Sequence, residues 1–192
     1  DWVAKSLEGL APVIAGRFIV HGGHDRERVK PNQIGIEIEA ALAFGTGHHG
    51  TTRGCLLAFE VLRKRAPMPG RWRILDIGTG TGVLAIAAAR ALHVPVVASD
   101  IDPVAIAVAR DNARLNHAGA LFDGFTAAGA DAQRFRRSGR YDLIFANILE
   151  APLRRMSRPL SRLLAPGGRI ILSKDGKWVI VCTSDDNRIQ VF

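Results

Sequence analysis

The sequence predicts an α/β fold with a doubly wound, mostly parallel sheet. From residue 73 onward, short apolar segments alternate with segments of helical length, and turn residues separate them. The apolar segments are nearly continuous, which is typical of parallel strands that helices cover on both faces. A chain of 192 residues with 47% hydrophobic content is long enough to form one such domain with its own core.

The predicted elements follow one another in a regular order. Strands are predicted at residues 73–77, 94–99, 141–146 and 169–172. Helices are predicted at residues 83–92, 103–116 and 151–164. An earlier helix runs to about residue 64, with Thr51 or Thr52 as its cap. Pro166, Gly167 and Gly168 end the last helix.

The sequence divides into three segments. Residues 1–43 form a β-rich linker segment, residues 44–173 form the main α/β domain, and residues 174–192 form a C-terminal β-hairpin of uncertain origin. In the first segment, β-like alternation occurs at residues 13–14, 17–20 and 34–38. In the last, the two strands lie on either side of a turn at residues 184–187. The pattern leaves open whether this hairpin completes the core or is foreign sequence joined near residue 173.

The formal net charge of +8 comes mostly from arginines that are spread along the chain. Such a charge suits a nucleic-acid or ribonucleoprotein partner through phosphate contacts. A solvated arginine-rich surface is the favoured interpretation, because no aromatic residues interleave with the arginines to stack bases. Direct binding to nucleic acid is therefore not required by the sequence.

Composition also indicates the compartment. No apolar run approaches the roughly 20 residues that span a bilayer, and the N-terminus lacks a secretory pattern, so we expect a cytoplasmic protein without membrane association. The cysteines, Cys55 and Cys182, lie far apart and outside any C-x-x-C spacing. They predict neither a disulfide framework nor a metal site.

A glycine loop follows the first predicted strand of the sheet. Gly78, Gly80 and Gly82 alternate with threonines, and Asp76 precedes them. Such a loop lies at the carboxyl edge of the sheet, where glycines allow a ligand close to the main chain. A dinucleotide fingerprint would need glycine where Val83 stands, so a dinucleotide is disfavoured. An ordinary tight turn remains the alternative.

Acidic residues follow the later strands. Asp100 ends the strand after the loop, twenty residues after Gly80, and an acid there can accept hydrogen bonds from both hydroxyls of a ribose. Asp102 precedes Pro103 and is interpreted as the N-cap of the next helix. Asp131 stands roughly where a third strand would end and could receive an adenine amino group, or could be a surface acid.

Four separated motifs together resemble the PrmA family of bacterial methyltransferases. They are the segments 44–52, 76–82, 98–103 and 146–153, in this order, and the similarity runs from residue 2 to about residue 173. The family modifies large-subunit ribosomal protein eleven. The resemblance implies a Rossmann-like class I methyltransferase fold and S-adenosyl-L-methionine as cofactor, bound within residues 44–173.

The resemblance also implies the reaction and its residues. Methyl groups would pass to protein amines, namely lysine side chains and an N-terminal α-amine. Thr52, Gly78, Asp100 and Asn147 match the family's cofactor-binding positions, and Gly80 belongs to the same loop. The Asn147 side-chain carbonyl can orient the incoming nitrogen, although an asparagine that only closes a turn is the alternative. His48 and His49 make a poor metal site, since no acid or cysteine accompanies them in this stretch.

Other functions remain open at this point. The family carries an N-terminal recognition domain that docks the ribosomal protein, whereas this chain starts at a linker-like segment, so target recognition is undetermined. A non-catalytic cofactor-binding fragment, or a methyltransferase of a small-molecule amine or a nucleic acid, is the alternative. A nicotinamide oxidoreductase is disfavoured by Val83. The sequence does not indicate an oligomeric state.

Overall fold

A computed structural model of the chain describes residues 12–38, 49–65, 72–137, 139–174, 178–183 and 189–191. Its strands are β1 (Val13–Ala15), β2 (Phe18–His21), β3 (Ile34–Glu37), β4 (Ile74–Ile77), β5 (Val96–Asp100), β6 (Phe122–Thr126), β7 (Tyr141–Ala146), β8 (Leu164–Lys174), β9 (Trp178–Thr183) and β10 (Ile189–Val191). Its α-helices are α1 (His49–Arg65), α2 (Val83–Leu92), α3 (Pro103–Leu115), α4 (Gln133–Arg137) and α5 (Glu150–Leu163). Short 3-10 turns cover Gly23–Arg28 and Gly119–Leu121.

Seven strands form the main sheet in the order β10-β9-β8-β7-β4-β5-β6. The five strands from β8 to β6 are parallel, and β9 and β10 are antiparallel to their neighbours. The chain moves outward from β4 through β5 and β6, then returns to the other side of β4 for β7 and β8. The predicted α/β class and the mostly parallel sheet are confirmed, and the switch point of the topology lies between β4 and β7.

Two apolar clusters pack on the two faces of this sheet. Successive residues of a strand point to opposite faces, so Ile74 and Leu143 join the cluster that contains α1 and α2, while Leu75 and Ile144 join the cluster that contains α4 and α5. All four residues of β4 are buried. Burial on both faces explains why the sequence of β4 and β7 is apolar with little alternation.

Several predicted boundaries need correction. Helix α1 begins at His49, so Thr51 and Thr52 lie buried in its first turn and do not cap it. Strand β6 and helix α4 were not predicted. The last helix ends at Leu163, within one residue of the prediction, but the predicted start of the last strand at residue 169 is wrong, because β8 begins at Leu164 and continues through Pro166–Gly168 with a register shift against β7. A Cβ at Gly168 would lie 2.8 Å from the carbonyl oxygens of Ala165 and Tyr141, so this irregular pairing accommodates only glycine.

The predicted β-rich segment forms a separate three-stranded sheet, β1-β2-β3. Strands β1 and β2 are antiparallel around Gly16, which has a positive φ of 60°, and β2 and β3 are parallel. Phe18 of β2 stacks on Phe59 of α1 at 5.7 Å between ring centroids, and Phe59 meets Phe145 of β7 edge to face at 5.5 Å. The small sheet and the main sheet therefore share one apolar cluster.

The predicted C-terminal hairpin pairs with the main sheet. Strand β9 runs antiparallel to β8 from the Arg169–Thr183 pair to the Lys174–Trp178 pair, and β10 runs antiparallel to β9. The predicted turn at residues 184–187 lies outside the described residues. In the part of the chain that the structure describes, no helix is both long and apolar enough to cross a membrane.

Asn116 connects the small sheet to the main domain. Its side chain is buried, accepts a hydrogen bond from the backbone N–H of Glu37 at 2.8 Å and donates to the carbonyl oxygens of Glu37 at 2.7 Å and Asn112 at 2.8 Å. The Glu37 carboxylate is held by a bidentate contact from Arg26, and this contact lowers the pKa of Glu37. The end of β3 is thus hydrogen-bonded to the C-terminal end of α3.

We expect Asn116→Leu to lower the free energy of unfolding by about 2–4 kcal/mol, because it leaves buried backbone groups of Glu37 without partners. Urea unfolding measures the loss. Gln33→Leu serves as the control, since Gln33 accepts only an exposed hydrogen bond from the Lys30 N–H, and its cost should stay near about 0.5 kcal/mol. Equal losses in the two variants would contradict the anchoring role of Asn116.

Candidate functional site

The glycine loop turns sharply after β4. Gly78, Gly80 and Gly82 have positive φ angles of 69°, 54° and 86°, a region that residues with a Cβ rarely adopt. The N–H groups of Gly78 and Thr79 both donate to the carbonyl oxygen of Ser99 in β5, at 2.8 and 2.9 Å. The loop is therefore fixed across the carboxyl ends of two neighbouring strands, and its glycines are required by its backbone conformation.

Asp100 is hydrogen-bonded to this loop. Its Oδ2 accepts a hydrogen bond from the Gly80 N–H at 2.9 Å, and its Oδ1 accepts one from the Asp102 N–H at 3.0 Å. Each carboxylate oxygen has a second acceptor position for a further donor. Asp102 caps α3 by accepting from the Val104 N–H at 2.8 Å, as predicted. The structure thus brings the glycine loop and Asp100 together.

Asp76 lies beneath the loop and is fully buried. Its Oδ2 accepts hydrogen bonds from the Thr79 hydroxyl at 2.7 Å and from the Ala85 N–H at 3.2 Å. Burial raises the pKa of Asp76 from its ordinary 3.8 to about 7, although both hydrogen bonds act in the opposite direction. This side chain holds the loop against the start of α2.

Asn147 and Thr52 meet on the other side of the loop. Asn147 follows β7, Thr52 lies in the first turn of α1, and the Asn147 Nδ2 donates to the Thr52 Oγ1 at 3.3 Å. Both residues line a cavity of about 380 Å³, together with Gly78, Gly80 and Val104. The predicted residues Thr52, Gly78, Gly80 and Asn147 therefore border one cavity.

A second cavity of about 540 Å³ adjoins the first at Gly78, which lines both. Asp100 and Arg155 are its charged residues. Its other side chains are mostly apolar, and they come from the last residue of β4 and from the segments that follow β5, β6 and β7: Ile77, Ile101, Ala127, Ile148, Leu149, Pro152 and Met156. All of these strands end at this edge of the sheet, so the cavity lies at the switch point between β4 and β7.

Ile148 packs directly over Gly78. A Cβ at position 78 would lie 2.1 Å from the Ile148 Cγ2, so this approach requires glycine. Ile148, Leu149, Ile101 and Arg155 were not among the predicted site residues. The rule that ligands bind beyond the carboxyl ends of parallel strands could have indicated the first three, since each lies directly after a strand or within three residues of one.

The placement of Asp131 at the end of a third strand needs correction, while its contact with an adenine stays a prediction. The third parallel strand, β6, ends at Thr126, five residues earlier than that placement required. Asp131 is exposed, and from this stretch Ala127 and Gly129 line the larger cavity. The loop at residues 44–48, with His48, lies outside the described residues, as does the side chain of His49.

The histidines of the small sheet do not form a metal site in the described residues. The Asp25 carboxylate lies 3.2 Å from the His24 ring nitrogen and 2.8 Å from the Arg28 guanidinium, so both of its oxygens already have side-chain partners. Nowhere in the part of the chain that the structure covers do three histidine, cysteine or acidic side chains converge as ligands.

Comparison with known proteins identifies the family. The model of the family described as ribosomal protein L11 methyltransferase (PrmA) matches residues 1–175. The chain belongs to this family. This match agrees with the predicted limits of similarity, and the C-terminal hairpin lies beyond it.

Individual relatives agree with this assignment. The ribosomal protein L11 methyltransferase of Bradyrhizobium diazoefficiens is 60% identical over 174 residues, which cover 90% of this chain and 58% of the relative. That of Rhizobium meliloti is 51% identical over 193 residues, which cover 99% and 65%. A solved structure of ribosomal protein L11 methylase from Lactobacillus delbrueckii subsp. bulgaricus is 29% identical, with a TM-score of 0.68 over 85% of this chain and 80% of that chain. The chain spans about three fifths of the length of the curated relatives.

The buried carboxyl of Asp76 predicts a specific pH dependence. Between pH 3.8 and about 7 the folded protein holds a proton at Asp76 that the unfolded chain releases. The protonated Asp76 carboxyl therefore makes its full contribution to the free energy of unfolding at low pH. This contribution falls as the pH rises through this window and is lost above it. Asp76→Asn keeps an oxygen acceptor for Thr79 and Ala85 but does not titrate, so we expect it to lack this decline.

Urea unfolding of both proteins at about pH 4, 5.5 and 7.5 measures the effect. The two free-energy profiles should diverge by an amount on the order of 4 kcal/mol across the window, with Asp76→Asn relatively more stable at the higher pH. Profiles that run parallel at all three pH values would exclude a raised pKa at Asp76.

Proposed function

We propose that this chain binds S-adenosylmethionine at the glycine loop and transfers its methyl group to amines of ribosomal protein L11. The observation that carries this proposal is the hydrogen bond between the Gly80 N–H and the Asp100 carboxylate. It joins the glycine loop, whose main chain a ligand can approach closely, to a carboxylate at the switch point of the sheet. Membership of the family supports the same reaction and substrate.

The residues present fit an adenosyl group. The free acceptor positions of Asp100 suit the two ribose hydroxyls. The larger cavity has mostly apolar walls from Ile101, Ala127 and Leu149, which suit the faces of an adenine ring. A Cβ at Gly80 would point into open space with no protein atom within 4 Å, so the glycine leaves room for a ligand against the loop.

S-adenosylmethionine supplies a methyl group on a positively charged sulfur that a neutral amine can attack. The task of the protein is to position that amine. The Asn147 amide donates its N–H to Thr52, which leaves the amide oxygen to accept a hydrogen bond from the incoming nitrogen. Removal of the amine from water lowers its pKa and favours the neutral, reactive form.

The substrate follows from the family. The relatives are named as methyltransferases of ribosomal protein L11, and we transfer this substrate to the present chain as part of the proposal. Such a substrate also supports the predicted cytoplasmic location, where ribosomal proteins are made. Lysine side chains and the N-terminal α-amine of the substrate are the proposed acceptors.

Calorimetric titration with S-adenosylmethionine tests the cofactor site. We expect Asp100→Asn to weaken binding by roughly 10- to 100-fold, because the charged acceptor of the ribose hydroxyls is lost. Asp111→Asn is the matched control, since Asp111 is exposed on α3 and pairs with Arg114, and the affinity should stay within about twofold. NAD should give no heat of binding. Binding of NAD without S-adenosylmethionine would refute the assignment.

Methyl transfer to purified ribosomal protein L11 tests the acceptor side. We expect Asn147→Ala to lower the rate by roughly 10- to 100-fold, since the amine loses its orienting acceptor. Thr52→Val removes the hydroxyl that holds Asn147 at nearly constant volume, and its rate should fall less. Transfer that is insensitive to Asn147 would show that this side chain only closes the turn. A chain that binds the cofactor and transfers nothing would favour the non-catalytic alternative.

A further inference from the structure

The arginines of the chain are not distributed evenly. Residues 131–162 carry eight arginines and no lysine against three acids, so this sixth of the chain contributes most of the net charge of +8. Of the three acids, Asp142 pairs with Arg73 and Glu150 pairs with Arg154. Asp131 is exposed. The excess positive charge of the protein is therefore concentrated in this part of the sequence.

Arginines elsewhere in the described residues mostly have partners. Arg26 pairs with Glu37, Arg63 with Glu60 and Arg114 with Asp111. Arg90 and Arg110 donate to backbone carbonyl groups. In contrast, six exposed guanidinium groups of residues 131–162 have no acid, backbone or ring partner among the described residues: Arg136, Arg137, Arg140, Arg155, Arg158 and Arg162.

Three of these six side chains follow one helix face. On α5, the buried residues Met156, Leu160 and Leu163 face the core. Positions 155, 158 and 162 lie three, four and seven residues apart, which places them together on the opposite, solvent-facing arc. Arg155 lines the larger cavity, and from there the row extends along α5 for about 10 Å to Arg162.

Arg140 continues this row at the far edge of the sheet, and Arg136 and Arg137 precede it in the chain, on helix α4. Helix α4 packs on the same face as α5, because Phe135 belongs to the same apolar cluster as Met156 and Leu160. Tyr141 at the start of β7 pairs with Leu164 at the start of β8. Arg140, just before Tyr141, is thereby brought near Arg162, two residues before Leu164. We call the six residues defined above the arginine track.

We propose that the arginine track binds the phosphate backbone of RNA. Guanidinium groups match phosphate oxygens in a bidentate way. The outward arc of α5 carries no large apolar side chain among the arginines, whereas a protein partner would need an apolar anchor at the centre of its interface. Polar, strongly positive surfaces are typical of nucleic-acid interfaces. The choice of RNA rests on the proposed function, since ribosomal proteins assemble on RNA.

Fluorescence anisotropy with a labelled uridine RNA of about 20 nucleotides tests the track with the full chain. We expect binding that weakens between about 50 and 200 mM salt. Arg140→Gln/Arg158→Gln/Arg162→Gln should weaken it by roughly 10- to 100-fold and reduce the slope of log K against log salt by about 2, because three phosphate contacts are lost. The track variant avoids Arg155, which lines the cavity.

The matched control, Arg17→Gln/Lys30→Gln/Arg65→Gln, removes the same charge from exposed positions in the first 65 residues and should change the affinity by less than about threefold. Equal weakening in both triple variants would overturn the track, because net charge alone would then explain binding. Preferential binding of poly-glutamate, or tighter binding of a DNA of the same length, would also overturn it.

Calorimetry with S-adenosylmethionine on the same proteins separates this inference from the proposed function. The track variant should keep the wild-type affinity for the cofactor. A wild-type chain that binds the cofactor and no RNA refutes only the track. A wild-type chain that binds RNA through the track and no cofactor refutes only the proposed methyl transfer.

Discussion

The site depends on the hydrogen bonds that tie the glycine loop to the end of β5. Two loop N–H groups donate to the Ser99 carbonyl and a third donates to the Asp100 carboxylate. Without the glycine loop, the hydrogen-bond acceptors at the carboxyl end of β5 would face solvent. The loop satisfies those acceptors, and in doing so it fixes Asp100 beside the bare main chain. Gly78, which this contact holds in place, lines both cavities.

This arrangement requires buried polar groups, and the carboxylate of Asp76 has partners that match its geometry, whereas the buried hydroxyl of Ser99 has none among the described residues. Asp76 is buried beneath the loop because its oxygen receives both the Thr79 hydroxyl and the Ala85 N–H, one from the loop and one from α2. Burial still disfavours the charged form of the Asp76 carboxylate. The loop conformation that buries this carboxylate therefore lowers the free energy of unfolding of the fold. Three glycines with positive φ add to this cost, since each restricts a flexible residue to a single conformation.

The fold could be predicted from the sequence wherever its periodicity is strong. Helix α2 was predicted with its exact bounds because an alanine-rich run follows the glycine loop and ends at His93. Strand β6 was missed because its sequence Phe122–Thr126 contains Asp123 and Gly124, which interrupt the apolar pattern. That omission displaced the expected end of the third strand by five residues, from Thr126 to the position of Asp131.

The candidate site was predictable only where local sequence determines it. The loop conformation and the cap at Asp102 depend on residues within a few positions of each other. The contact between Thr52 and Asn147 joins residues 95 apart, and the resemblance, not local pattern, indicated both. The approach of Ile148 to Gly78 depends on how β7 packs beside β4, which no local pattern specifies. The same holds for the arginine track, since the pairing of β7 with β8 brings its two halves together.

The small sheet also contributes to the acceptor side of the site, through packing. Thr52 can meet Asn147 only when α1 lies against the main sheet, and Phe59 of α1 packs between Phe18 of the small sheet and Phe145 of β7. Phe145 precedes Asn147 by two residues. The row of three aromatic rings that packs the small sheet against α1 therefore also extends to the end of β7. Because aromatic pairs contribute about 0.5–1.5 kcal/mol beyond the burial of their area, this row resists displacement of α1. The small sheet thus stabilises the position of Asn147 through the packing of these rings.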